Sequence, residues 1–120
     1  MISRFKVPKQ GRAPKGRSKY GNKKVYFEGQ WFDSRRELKR WNELQLMERA
    51  LIIHDLKRQV SFEVVPACPP RKAVHYIADF VYIGEKGDMV VEDAKGFPTE
   101  VFKLKKKLMW WRHGIEVREV

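Results

Sequence analysis

The chain has one cysteine, Cys68, set between Ala67 and Pro69. A lone thiol closes no intramolecular disulfide and builds no cysteine-rich zinc site, so a reducing, cytoplasmic setting is expected. No apolar run approaches the roughly 18 to 20 residues that a membrane helix needs, which argues against a spanning segment. Met1-Ile2-Ser3-Arg4-Phe5-Lys6 is followed by no apolar stretch, so no secretory leader is read there. The most informative absence is of acid: residues 1 to 24 contain no Asp or Glu.

That segment carries nine Lys or Arg, together with Gly11, Gly16, Gly21, Pro8 and Pro14. It has little with which to build a packed element, and a flexible basic arm is expected over 1–24. The whole chain of 120 residues has a formal charge of +11. The remaining 96 residues hold 17 basic and 15 acidic groups, a net of only +2. Unneutralised Lys and Arg displace counterions from a phosphate backbone. Arg12, Lys15, Arg17, Lys19, Lys23 and Lys24 are therefore candidate nucleic-acid contacts, against the plainer reading of a solubilising tail. Residues 25–120 are 96 residues rich in Trp, Phe and Tyr, enough for one domain with a modest core.

Within that domain the patterning predicts an α/β order. Lys24 to Glu28 and Gln30 to Phe32 suggest a hairpin about Glu28-Gly29. Arg35 to about Leu51 reads as a helix with Leu38, Trp41, Leu44, Met47 and Leu51 on one face. Strands follow at Lys57 to Val65, Ala73 to Ile83 and Met89 to Lys95, the last two joined by the turn Gly84 to Asp88. Thr99 caps a second helix, Glu100 to Arg112, with Val101, Leu104, Leu108 and Trp111 inward. A strand over Ile115 to Val120 closes the domain.

Chemistry concentrates on two of these strands. Ala73 to Ile83 is apolar on both faces, the mark of a central strand. Simple alternation puts Tyr76, Ala78, Phe80 and Tyr82 on one side and Asp79 with Ile77, Val81 and Ile83 on the other. A carboxylate there needs a cation, a donor or a metal. If Ile83 pairs with Met89, Asp79 lies opposite Asp93 and Ile77 opposite Lys95. Two facing carboxylates repel. A divalent cation such as Mg²⁺ or Mn²⁺ between them removes the conflict. Lys95 then holds a water beside it. The alternative is an ion pair from Lys95 to Asp79 or Asp93 with no metal. Glu92 falls on the opposite face. Glu37 has two readings of equal weight: a fourth site carboxylate, or the acid of the capping box Ser34-Arg35-Arg36-Glu37.

The pieces Glu37, Ala78-Asp79 and Asp93-Ala94-Lys95, in this order of elements, resemble the PD-(D/E)xK nuclease superfamily. The runs Phe32-Asp33-Ser34-Arg35-Arg36-Glu37, Tyr76-Ile77-Ala78-Asp79-Phe80 and Val91-Glu92-Asp93-Ala94-Lys95-Gly96 look more closely like a small phage-encoded endonuclease family, similar to Holliday-junction resolvases. Ala78 stands where Pro is usual, and Asp93 where Glu is commoner. The resemblance covers residues 20 to 120. It implies a restriction-endonuclease-like αβββαβ core, a central mixed sheet flanked by helices. It also implies phosphodiester hydrolysis with Mg²⁺, or Mn²⁺ in its place, held by Asp79, Asp93, the Ala94 carbonyl and Glu37. Lys95 would orient the attacking water. Gln59 is a further candidate, since a Gln nearby touches the site in some relatives. The implied partner is branched or four-way DNA, bound by a homodimer in a phage-infected or prophage-carrying bacterial cell. Lys103, Lys106 and Lys107 on the second helix are candidate phosphate contacts.

Two other classes stay open: a general phage nuclease for ends, flaps or single strands, and a catalytically silent nucleic-acid-binding protein. The arm's role is checked separately. Binding of a DNA duplex is expected to weaken steeply with salt, and removal of residues 1 to 24 to reduce the slope of log K against log [salt] by several phosphate contacts at about 0.9 each. An unchanged slope removes the arm from the interface.

Overall fold

A computed structural model of the chain describes residues 23–120. Arg12, Lys15, Arg17 and Lys19, and with them most of the basic arm, lie outside the described residues. The elements are β1 (Val25–Phe27), β2 (Gln30–Phe32), α1 (Arg35–Arg49), β3 (His54–Val65), β4 (Val74–Ile83), β5 (Met89–Asp93), α2 (Glu100–His113) and β6 (Arg118–Glu119). Strands β1 and β2 form a hairpin, and β3-β4-β5-β6 form a four-stranded sheet. Pairing is antiparallel from β3 to β5 and parallel between β5 and β6, so the sheet is mixed. This is the expected α/β class, with an αβββαβ-like order.

Local chemistry explains the ends of the elements. Glu28 and Gly29 both have positive φ, 49° and 81°, which is what a two-residue hairpin turn requires. Ser34 caps α1 by accepting from Glu37 N at 3.2 Å, and Thr99 caps α2 by accepting from Phe102 N at 3.1 Å. Gly114, at φ 68°, ends α2 in the left-handed conformation that leaves its N–H and that of Ile115 bonded back to Trp110 and Met109.

The helices cover opposite faces of the sheet. Leu44 of α1 packs with Ile53, Phe80, Tyr82 and Val90, while Phe102 and Met109 of α2 pack with Val64, Tyr76, Ala78, Val81 and Val91. The neighbours Val90 and Val91 therefore fix which side is which.

Two expectations are corrected here. First, β4 does not alternate simply: Tyr76 and Ala78 face α2, but Phe80 and Tyr82 face α1. Strand β3 changes sides at the same level. Leu56 packs on the α1 side, whereas Val60 and Val64 pack on the α2 side. The register is unaffected, since Arg58↔Phe80 and Val60↔Ala78 lie on one ladder. The cause is Gln59, whose φ of 52° turns the strand over between two in-register pairs. Second, α2 is rotated from its expected orientation. Val101, Leu104 and Trp111 are exposed, Leu108 is only part-buried, and Phe102 and Met109 are the buried pair. Lys105 and Lys106 between them are only part-exposed, so their methylene stems fill the stripe that apolar residues would otherwise occupy. Leu51 likewise lies outside α1, at φ 63° and exposed.

One polar cluster ties α1 to the sheet. Glu92 is fully buried and receives a two-pronged bond from Arg40, at 2.8 Å and 2.7 Å, and another from the Tyr82 hydroxyl. Breaking a buried pair from one side leaves an uncompensated charge. Arg40→Met is expected to lower the unfolding free energy by about 3 kcal/mol, and the double variant Arg40→Met/Glu92→Leu to recover much of that loss. Urea titration of the two variants checks it.

Candidate functional site

The register expected for β4 and β5 is present, running from Ile83↔Met89 to Phe80↔Glu92. It leaves Asp79 and Asp93 together at the end of the ladder. Strand β5 stops at Asp93, so Lys95 is not opposite Ile77 as expected. Lys95 lies just past the strand end, where its ammonium turns back to Asp93 Oδ1 at 3.5 Å. The ion pair set out as the alternative to a metal is thus formed.

Asp93 is 2% exposed. Its Oδ2 accepts from the Tyr76 hydroxyl at 2.6 Å. Its Oδ1 is buried and accepts no hydrogen bond among the described residues; its contact with Lys95 is an ion pair. Asp79 sits at the point where β3 and β4 change faces, not among Ile77, Val81 and Ile83. Its Oδ2 accepts from Ala94 N at 2.9 Å and its Oδ1 from the Gln59 amide at 3.3 Å. Glu37 is 1% exposed in the first turn of α1. One of its oxygens accepts from Asp33 N at 2.7 Å, one residue before the usual capping-box position. The other accepts from Arg58 at 3.2 Å and from Gln59 at 3.1 Å. One oxygen of Glu37 thus secures the start of α1, and the other faces Arg58 and Gln59.

The three acids shape one another. Burial, then the charges of Asp93 and Glu37, push the Asp79 carboxyl up to about 8. Burial, and after it the Asp93 charge, raises the Tyr76 hydroxyl well above the ordinary phenol range, so it serves Asp93 as a fixed donor.

Among the described residues, no three His, Cys, Asp or Glu side chains stand close enough together to hold an ion as they are placed. Glu37 is tied back to Arg58 and the helix start, which accounts for its standing apart. Asp79 and Asp93 are the pair with the chemistry for a hard divalent cation. Their donors are oxygens, their charges are in conflict, and Asp93 presents a buried oxygen with nothing bonded to it. Ala94 lines the same cleft beside Asp79.

That cleft has a volume of about 930 Å³. Glu37 and Asp79 lie within it, and Lys23, Lys24, Arg35, Arg36 and Lys95 line it. A basic rim around an acidic base suits a polyanion that must be brought to a cation site. A second groove is lined by Asp93 and by Lys95, which is common to both openings.

Sequence reasoning missed Tyr76, Arg58, Arg35 and Arg36. Tyr76 reaches Asp93 only because of the change of faces, which no periodicity reveals. Arg35 and Arg36 were hidden inside a capping motif, where their signal was two cations immediately before the acid Glu37. Of the α2 lysines, Lys103 pairs with Glu100 at 3.3 Å, and Lys106 with Glu119 at 2.9 Å and Glu116 at 3.6 Å. Neither these nor Lys107 lines the cleft. Lys105 is the α2 lysine that borders the second groove. Lys23 and Lys24 do line the cleft, with Lys24 held to Asp33 at 3.0 Å.

Comparison with known proteins gives one family match: the model described as "Protein of unknown function (DUF1064)" covers residues 17–119. No curated protein matches the chain, and no solved structure matches it.

The raised Asp79 carboxyl has a measurable consequence. Its folded value lies above the ordinary 3.8, so between about 4 and 8 the folded protein binds a proton that the unfolded chain releases. This contribution to stability is complete below the lower value and is lost as pH rises through the upper one. In the presence of a chelator, wild type is expected to lose on the order of 2 kcal/mol more stability than Asp79→Asn across that window. Parallel pH profiles for the two proteins would overturn the assignment.

Proposed function

The chain belongs to the family described as "Protein of unknown function (DUF1064)", and we propose that it is a divalent-cation-dependent, structure-selective DNA endonuclease of the PD-(D/E)xK type, foremost a Holliday-junction resolvase. The observation that carries this reading is the buried Asp93 Oδ1, which among the described residues is ion-paired with Lys95 but accepts no hydrogen bond, beside Asp79 and next to a cleft with a basic rim. A purely structural carboxylate is fully bonded, as Glu92 is one residue earlier.

Each residue has a part. Asp79, Asp93 and the Ala94 carbonyl would hold the cation, Mg²⁺ or Mn²⁺, which would supply Lewis-acid chemistry toward a phosphodiester there. Tyr76 fixes the rotamer of Asp93 by bonding the oxygen that faces away from Lys95. Lys95 is a third exposed and packs its ammonium 5.1 Å from the Phe102 ring centroid. From there it orients the attacking water and counters negative charge developing on the phosphoryl oxygens. Glu37 acts from one turn away through Gln59. Lys23, Lys24, Arg35 and Arg36 receive the flanking phosphates.

A homodimer would present two sites for paired nicks across a junction. No helix among the described residues is long and apolar enough to cross a membrane. The setting on this reading is the cytoplasm of a phage-infected or prophage-carrying bacterial cell.

A cleavage panel tests the proposal: four-way junction, flap, linear duplex and single strand, with and without Mg²⁺. Paired symmetric nicks in the junction are expected, with Lys95→Ala slower by at least about 100-fold. Cleavage of every branched or single-stranded substrate keeps the hydrolase and withdraws the resolvase. Absence of metal-dependent cleavage on all four leaves a silent nucleic-acid-binding protein.

A further inference from the structure

Gln59 has two features that ordinary strand residues lack. Its backbone lies in the left-handed region, at φ 52°, within a twelve-residue strand. Its amide nitrogen contacts two carboxylates at once, Glu37 Oε2 at 3.1 Å and Asp79 Oδ1 at 3.3 Å. The atom facing those oxygens has to be the nitrogen, because a carbonyl oxygen would meet two acceptors. Both amide protons are consumed in the contact. A neutral donor thus sits between two acids whose charges add to each other's cost.

The position of that nitrogen is chemically that of a cation. It bridges oxygens from two different elements, α1 and β4, and lowers their repulsion without bringing a charge. A side chain projecting regularly from β3 would point to one face of the sheet or the other. The left-handed turn at Gln59 is what sets the side chain at the crossing, level with Asp79, where Asp79 faces Glu37. The strained backbone and the bridging amide are one device.

We propose that Gln59 is a placeholder for the divalent cation: its amide holds Glu37 and Asp79 together in the metal-free protein and yields Asp79 Oδ1 when the ion binds. The inference rests on the metal site of the proposed function and adds a competitor to it. The ion must displace the amide from Asp79, so the amide lowers metal affinity while it stabilises the empty site. Gln59 is on this account a positioning residue that need not touch substrate. A residue serving only to pre-arrange the ligands would do the reverse, since its loss would weaken metal binding.

Titration calorimetry of Mn²⁺ into the full chain separates these cases. Gln59→Met keeps side-chain length and the same backbone strain but has no donor, and Gln59→Ala removes the side chain. Both variants are expected to bind Mn²⁺ roughly tenfold more tightly than wild type, as loss of a competing charge-assisted bond implies. Both should also melt lower than wild type in chelator, with the gap narrowing at saturating Mn²⁺. Asp79→Ala should abolish the bound ion, which assigns the heat to this site. Equal or weaker Mn²⁺ binding by both variants overturns the placeholder while leaving the metal site standing. If neither wild type nor the variants bind Mn²⁺ in an Asp79-dependent way, the metal site fails and the placeholder with it.

Discussion

At Gln59 and Asp79 two neighbouring strands exchange faces without losing register. Between the irregularities at His54/Lys57 and Glu63/Val65 the two strands stay paired in one register, and they serve the α2 layer on one side of the crossing and the α1 layer on the other. The residues at the crossing belong to neither core. This gives Asp79 a place inside the sheet where a carboxylate is not surrounded by hydrocarbon, within reach of Glu37 from one layer and Asp93 from the other. Regular strands would have forced it into one hydrophobic layer, where only a salt bridge or a proton makes a carboxylate tolerable. Concentrating three acids without a complete set of counter-charges is costly. The remaining structure supplies Arg58, Gln59, Tyr76, Lys95 and a backbone N–H to hold them.

The neighbours Glu92 and Asp93 measure how selective that supply is. Both are buried, both lie on β5, and their side chains leave the strand on opposite faces. Glu92 has a two-pronged guanidinium and a phenol, which saturates its oxygens and locks α1 onto the sheet. Asp93 has a phenol on one oxygen, and a lysine 3.5 Å from the other that is itself partly in solvent. Burial is equal, so the difference lies in satisfaction alone.

Much of this was legible in the chain. The Gly84–Asp88 turn and the alternation after it fixed the pairing of β4 with β5, and that pairing brought Asp79 to Asp93. Ser34 and Glu37 announced the start of α1, and the continuously apolar 73–83 announced a central strand. The change of faces was not legible, because a single non-glycine residue at positive φ leaves no mark on periodicity. From it followed the wrong side for Phe80 and Tyr82, and the missed contact of Tyr76 with Asp93. The orientation of α2 was hidden for another reason. Its sequence carries two apolar stripes, and the one with more hydrophobic residues, Val101, Leu104 and Trp111, faces outward. The choice between them rests on Phe102, which packs against the Tyr76 ring, 6.3 Å between centroids, and beneath the Lys95 ammonium. Those are contacts between elements, and no window along one helix contains them.

The division of donors among the acids also explains where their mutual repulsion falls. Glu37 stands in the first turn of α1, where the helix dipole favours an anion, and it receives Asp33 N, Arg58 and the Gln59 amide. Asp93 has Tyr76 and the nearby Lys95 ammonium. Asp79 has one backbone N–H and a longer bond from the amide it shares with Glu37, and among the described residues no cation is bonded directly to it. Burial and the charges of Asp93 and Glu37 fall on it, and hold its carboxyl up at about 8. A divalent cation would relieve the greatest cost by binding there first. The acid with the weakest counter-charge thus stands at the point where the two strands cross.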